Sequence, residues 1–330
     1  LPDSTGVGPY PLNNPDGIRF STALGYLSQS RHRLNLTIKP NCVTRKIVFD
    51  GNIATGVEVI SGGEVFKVEG KEIILSAGSI ATPQILMLSG VGSEELLSAF
   101  DISVISDLPG VGKNLRDHPT VHTTWKPHYS FNKPEQKIGP QKVALRYTSQ
   151  DSKYQNDMIM IMRFSHEIGD VGALMISVGI YLAESVGRIS LQSTDIHIQP
   201  ILDYNLLSHK YDLKRLREGV RLADKIAEAP SFTDSIVARL SPDETTINND
   251  DLLDQWMLEN VLTMHHISGT CKMGPKSDEE AVVDQYGLVY GTKQLRIADA
   301  SILPDCPRAN TNVAAMLIGE RIADFIKTSD

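Results

Sequence analysis

The residues of this chain best suited to chemistry stand in two stretches of its last third. The first, Thr263 to Gly274, reads T-M-H-H-I-S-G-T-C-K-M-G. Imidazole has the unperturbed pKa nearest physiological pH, so His265 or His266 suits the abstraction of a proton. Gly269 and Gly274 bracket the Thr-Cys-Lys-Met run and let backbone approach a flat or bulky group. Alone, a His-His pair reads first as loop histidines beside a structural turn. The second stretch, Leu295 to Val313, reads L-R-I-A-D-A-S-I-L-P-D-C-P-R-A-N-T-N-V and leads into the last helix. Its Asn310 offers an amide N–H that does not titrate; Asn in such a place is equally a common helix cap.

Both stretches need elements to hold them. K-E-I-I-L-S-A-G-S-I-A-T-P-Q-I-L-M-L-S-G-V-G, residues 71–92, reads as a buried strand at Ile73-Ile74-Leu75 and a small-residue turn. A helix then follows, with Thr82 as its cap and Pro83 in its first turn, running to Gly90. Strand, turn and helix N-terminus form a general recipe for holding an anion, although many α/β units share it without a ligand. Upstream, strands are expected at 34–38, 42–49, 54–60 and 64–69, with Asp50-Gly51 as a hairpin turn. A short helix is expected at 19–27. Residues 120–155, rich in Lys, Gln, Tyr and Ser, read as exposed loops or a lid. Runs at 158–162, 173–182 and 188–193 read as three strands of one antiparallel sheet. Leu213, Leu216, Val220, Ala223 and Ala227 recur at three and four, marking a helix over 212–228 that Pro230 ends. Further helices are expected at 250–260, capped by Asn249, and at 313–326.

Composition narrows the function classes. The chain has 330 residues, 41% hydrophobic and 22% charged, which is ordinary for a globular protein with room for two domains. A net charge of −8 argues against a nucleic-acid footprint and an anionic membrane surface. No apolar run is long enough for a transmembrane helix. Cys42, Cys271 and Cys306 are odd in number and far apart, so neither a disulfide framework nor a metal site is indicated. No signal peptide is visible, which favours the cytoplasm without assigning a compartment.

Four motifs in order carry a resemblance: 78–92, L-P-G-V-G-K-N-L-R-D-H at 108–118, 263–274 and 295–313. Together they resemble the glucose–methanol–choline (GMC) oxidoreductases, in their choline dehydrogenase-like form. The resemblance implies an α/β fold, α+β in part. A Rossmann-like FAD-binding domain would span 1–118 and 256–330. A substrate domain, an antiparallel sheet backed by helices, would span 119–255. It implies FAD as cofactor, a small-molecule alcohol as substrate, and oxygen or another electron acceptor. His266 aligns with the catalytic base that takes the hydroxyl proton while the carbinol hydride goes to flavin N5, and Asn310 with a second catalytic position held by His or Asn. Val43 aligns with a backbone contact to adenine, Gly78 and Ser79 with the flavin-facing motif, and Asp299 and Ala300 with the pyrophosphate region. Asn312 and Val313 open the helix aimed at the flavin. No G-x-G-x-x-G turn stands near Leu1: Gly6-Val7-Gly8 and Gly90-Val91-Gly92 lack the third glycine. The expectation is therefore a chain lacking the N-terminal glycine-rich FAD-binding section, hence a partial FAD domain. The chain would then be a fragment, or that section a separate polypeptide. A hydroxynitrile lyase on the same scaffold and a flavin-free binding module remain alternatives. Asn310 counts against the lyase, and retention of His266 and Asn310 against the module. With aromatic content of 6% there is no dense aromatic cage, and the alcohol is not named.

Overall fold

The computed structural model describes residues 4–128, 143–165, 172–232 and 234–328, so much of the expected lid lies outside the described residues. The chain forms two compact units. One comprises Leu1–Pro40, Pro119–Leu182 and His209–Leu262; the other comprises Asn41–His118, Ala183–Ser208 and Thr263–Asp330. No described helix is long and apolar enough to cross a membrane.

The first unit is built on an antiparallel sheet. Its strand order is Gly6–Pro9, Val143–Tyr147, Met158–Ser165, Ala173–Ile180, Pro119–Pro127 and Ile236–Ser241. The strand Pro119–Pro127 replaces part of the expected exposed loop. Its threonines explain the misreading: Thr120 and Thr123 donate their hydroxyls to the carbonyls of Val178 and Ile176, while Val121 and Trp125 are buried. A polar composition thus hides a central strand. The helix Lys210–Ala227 lies on this sheet through Leu216, Gly219, Val220, Ala223 and Ala227. Gly219 is required there, since a Cβ would meet Val178 Cγ1 at 2.6 Å and the Tyr147 hydroxyl at 2.8 Å. Beneath the helix, Arg215 is 0% exposed and spans Asp157 at 2.8 Å and Asp212 at 2.6 Å. Asn249 caps the helix Asp250–Asn260 through the Leu252 N–H.

The second unit holds a three-stranded antiparallel meander, Val43–Asp50, Ile53–Ser61 and Glu64–Glu69, turning at Asp50-Gly51. Glu64–Glu69 is exposed along its whole length. Ile73–Leu75 pairs in parallel with Leu295–Ile297 and leads into the helix Gly78–Leu88. The expected strand at 34–38 is absent: those residues are exposed and have no strand partner, and β-propensity without a partner forms no ladder. The third strand expected in the large sheet also moves. Arg188–Ser190 pairs instead with Ile201–Asp203, and its Ile189 joins the core of Leu75, Leu86, Val91, Val283 and Ile297.

Removing one partner from a buried ion cluster leaves the others charged and dry. Arg215→Leu should therefore lower unfolding free energy by ~3–5 kcal/mol in urea titrations. Lys214→Leu, which loses an exposed pair with Asp151, should change it by less than ~1 kcal/mol.

Candidate functional site

Two of the singled-out stretches zip together in the second unit. Residues 116–118 run antiparallel to 264–268: Arg116 and Ser268 exchange both backbone hydrogen bonds at 2.9 Å, and the Met264 N–H donates to His118 O at 3.0 Å. Asp117, 4% exposed, sits between the two segments. Its carboxylate accepts from the backbone N–H of His118 at 2.6 Å, from that of His266 at 3.0 Å, and from the Thr263 hydroxyl. Burial pushes the Asp117 carboxyl above its usual range, and those three donors pull against that rise.

The backbone between the histidines decides which one is inside. His265 takes a left-handed φ of 63°, uncommon for a residue with a Cβ. Its N–H is held by Thr263 Oγ1 at 2.8 Å. The consequence is that His265 is exposed while His266 is 7% exposed. His266 Nδ1 lies 2.8 Å from Nδ1 of the fully buried His118, and His118 Nε2 lies 2.9 Å from Pro307 O. Burial first, and the charge of His265 second, lower the His266 pKa to about 4, so its ring is neutral at physiological pH. Sequence reasoning overlooked Asp117 and His118, although both stand in the R-D-H of the 108–118 motif.

A second lock joins the other motifs. Pro83 lies inside the helix Gly78–Leu88, not at its start, and has no N–H for the Ser79 carbonyl one turn earlier. The Thr270 hydroxyl fills that place, donating to Ser79 O at 2.6 Å. Thr82 is not the cap either. Asp299 holds the helix start, accepting from Gly78 N–H at 3.0 Å and Thr82 Oγ1 at 2.6 Å, and its other oxygen accepts from Ser301 N–H. Gly269 donates its N–H to Ala300 O, followed in register by Cys271 to Ser301 and Met273 to Ile302. A Cβ on Gly269 would meet Asn114 O at 2.6 Å, so its φ of +80° serves a close approach.

These elements fit an extended dinucleotide in part. An open cleft of about 420 Å³ is lined by Thr44, Ile74, Ser76 and Ala77, placing the neighbours of Val43 and of Gly78 on one hollow. A Cβ on Gly78 would meet nothing within 4 Å, and the buried Ser79 hydroxyl has no hydrogen-bond partner among the described residues. The helix Thr311–Thr328 presents Asn312 and Val313 in its exposed first turn, directly after the exposed Asn310. One feature does not fit an anion at the first helix: the Gly78 N–H is already taken by Asp299. Asp299 thus fixes the turn at Gly78 from within the protein. Asn310 follows a turn that is itself fastened to the histidines, through Pro307 O on His118 and the Cys306 thiol on His266 O.

Sequence models of GMC oxidoreductases match residues 2–120 and 183–319. Over 98% of its length the chain is 34% identical to the oxygen-dependent choline dehydrogenase of Escherichia coli O17:K52:H18 (strain UMN026 / ExPEC), of which it spans 64%. Among solved structures it is similar to pyridoxine 4-oxidase from Mesorbium loti, with a TM-score of 0.89 and 26% identity over 97% of this chain and 64% of that one. A fungal aryl-alcohol oxidase, at 21% identity and a TM-score of 0.87 over 99% of this chain and 67% of that one, shows the likeness of fold alone. The match over 2–120 overturns the expectation that the N-terminal FAD-binding section is lacking. The partial FAD domain falls with it, and so do the grounds for reading the chain as a fragment or that section as a separate polypeptide. A missing G-x-G-x-x-G describes one turn, whereas a module is recognised from all its packed elements; here these include the meander and the 78–92 turn.

Two measurements check this geometry. Thr270→Val should orphan the Ser79 carbonyl and cost ~1–3 kcal/mol in denaturant unfolding, with Thr270→Ser close to the parent. The His266 ring should titrate by proton NMR near pH 4 rather than near the usual ~6.5. Because its folded pKa lies below its unfolded one, the stability it contributes is complete above ~6.5 and is lost as pH falls toward 4.

Proposed function

As the chain belongs to the GMC oxidoreductase family, we propose that it oxidises the CH–OH group of a small-molecule alcohol, with FAD as cofactor and His266 as general base. The observation that carries this reading is the His266 ring: buried, neutral, tied at Nδ1 to His118, and without a hydrogen bond from the described residues at Nε2. A neutral imidazole with one nitrogen engaged and the other bare is set to receive a proton. Such a base contributes ~10²–10⁴-fold.

Asn310 donates its amide N–H to the alcohol oxygen as alkoxide character develops, a contribution of ~2.7–4 kcal/mol for one well-placed donor. Val43, Gly78, Ser79, Asp299, Ala300, Asn312 and Val313 are the residues assigned to hold FAD. Val43 acts through its backbone, Asp299 by fixing the turn at Gly78, and Asn312 and Val313 at a helix start that favours negative charge. When bound, the flavin supplies the acceptor for the carbinol hydrogen and its two electrons. Oxygen or another external acceptor completes the cycle. Relatives named for choline and for pyridoxine support a small alcohol as substrate class.

In FAD-loaded enzyme, His266→Ala should slow flavin reduction by at least ~10²-fold in stopped-flow experiments, and His265→Ala far less. Reversed ranks would remove the assignment. Asn310→His should keep part of the rate that Asn310→Ala loses; equal rates in the two would leave Asn310 as a helix cap.

A further inference from the structure

The two faces of the large antiparallel sheet differ in how their charges are matched. Side chains alternate along a strand, so cross-strand partners share a face. Tyr147, Met158 and Val178 meet Gly219 and therefore lie under the helix Lys210–Ala227. On the edge strand Ile236–Ser241, Arg239 is paired with Asp224 of that helix. His122, Ser177 and Ile161 form one cross-strand row on the opposite face. Arg163 stands on that face one strand and two residues from Ser177, within reach of a long side chain. Arg146 shares the face, against the Tyr181 ring at 6.0 Å from its centroid. None of the strands in this sheet contains an Asp or Glu, although acids outnumber bases 40 to 32 in the chain.

Arg163 is half-buried and has no acid partner among the described residues, and its Nε is buried there without a hydrogen bond. Burial first, and the charge of Arg163 second, lower the His122 pKa, with a hydrogen bond to the Val121 backbone opposing them. The one charge that reaches His122 is thus positive. A partly desolvated guanidinium without a counter-ion is costly, and a planar pair of carboxylate oxygens matches its fork. Ile161 and Met175, both buried, give the same face an apolar floor that suits the carbon part of an organic acid. Phosphate is favoured by clustered backbone N–H groups, and those of these central strands are spent in ladders. We propose that this face of the sheet binds a small organic carboxylate, held by the Arg163 guanidinium, with the Ser177 hydroxyl beside it and His122 at its margin. The site stands within one unit and does not depend on the reaction assigned to His266.

The test uses the full chain with ¹³C,¹⁵N-labelled histidine, titrated at constant ionic strength with benzoate, with the uncharged benzamide and with inorganic phosphate. His122→Gln assigns the His122 ring signals. Benzoate should shift those signals saturably, benzamide should not, and phosphate should bind more weakly than benzoate. Arg163→Gln should weaken benzoate binding at least ~10-fold, the scale of a charge-assisted pair. Lys214→Gln removes the same charge from the exposed side of the helix and should leave the affinity within about twofold, since such charges are screened. No saturable shift with benzoate, equal binding of benzamide, or unchanged affinity in Arg163→Gln overturns the proposal. So does an equal loss in Lys214→Gln, which would reduce the effect to net charge, and so does tighter binding of phosphate. Should Arg163→Gln fail to fold, Arg163→Lys takes its place: it keeps the charge and loses the fork, and an unchanged affinity there overturns the proposal equally.

Discussion

One buried carboxylate holds the site together. Asp117 carries no guanidinium or ammonium partner in its hydrogen-bond set; its oxygens are filled by two backbone N–H groups and one hydroxyl. Burying a carboxylate is tolerable only when its lone pairs are satisfied in this way. Because it grips the backbone of both histidines, their rings are left to meet each other. Were the carboxylate to hold a ring instead, as in a triad, it would raise that ring's basicity. Here it holds the backbone of both histidines and leaves the imidazole rings to each other.

Asp299 uses the same device elsewhere in the unit: a buried carboxylate accepts from Gly78, Thr82 and Ser301 and so fastens two loops. With Thr270 replacing the donor that Pro83 lacks, the 78–88 helix, the 269–273 segment and the 299–302 turn become one connected backbone network. Neither lock depends on a long helix or a wide sheet. Local side-chain to backbone bonds do the work that ladders do elsewhere.

How much of this was legible follows from the range of the interaction. The helices 210–227 and 250–260 were readable because apolar spacing and Asn249 act within one or two turns. The hairpin at Asp50-Gly51 was readable for the same reason. The strand 119–127 was not, since its threonines look polar until Thr120 and Thr123 find carbonyls more than fifty residues away. Likewise, Arg188–Ser190 shows a strand pattern that does not name its partner. At the site, residue type pointed to His265 or His266 without choosing between them, and the resemblance chose His266 and Asn310. His118 could not be singled out, because its importance lies in a contact with a residue 148 positions on. Pro83 misled in an instructive way: its preference for a first turn was sound, but Thr270 supplies the donor that permits it inside the helix.

The choice of a second histidine, rather than a carboxylate, behind His266 has a physical logic. A carboxylate at Nδ1 would favour the imidazolium strongly and raise the pKa toward or above neutrality. The ring would then be protonated before an alcohol arrived. His118 at Nδ1 brings no carboxylate charge, and desolvation lowers the His266 pKa to about 4. The drawback is a weak pull on the hydroxyl proton, since Brønsted behaviour favours a base whose pKa lies closer to the working pH. In the function proposed above, Asn310 is the complement: by stabilising developing negative charge on the alcohol oxygen, its amide would make that proton easier to lose to a weak base. On that proposal, low basicity at His266 and a neutral donor at Asn310 belong to one solution, in which neither group carries a charge across the physiological pH range before substrate is bound.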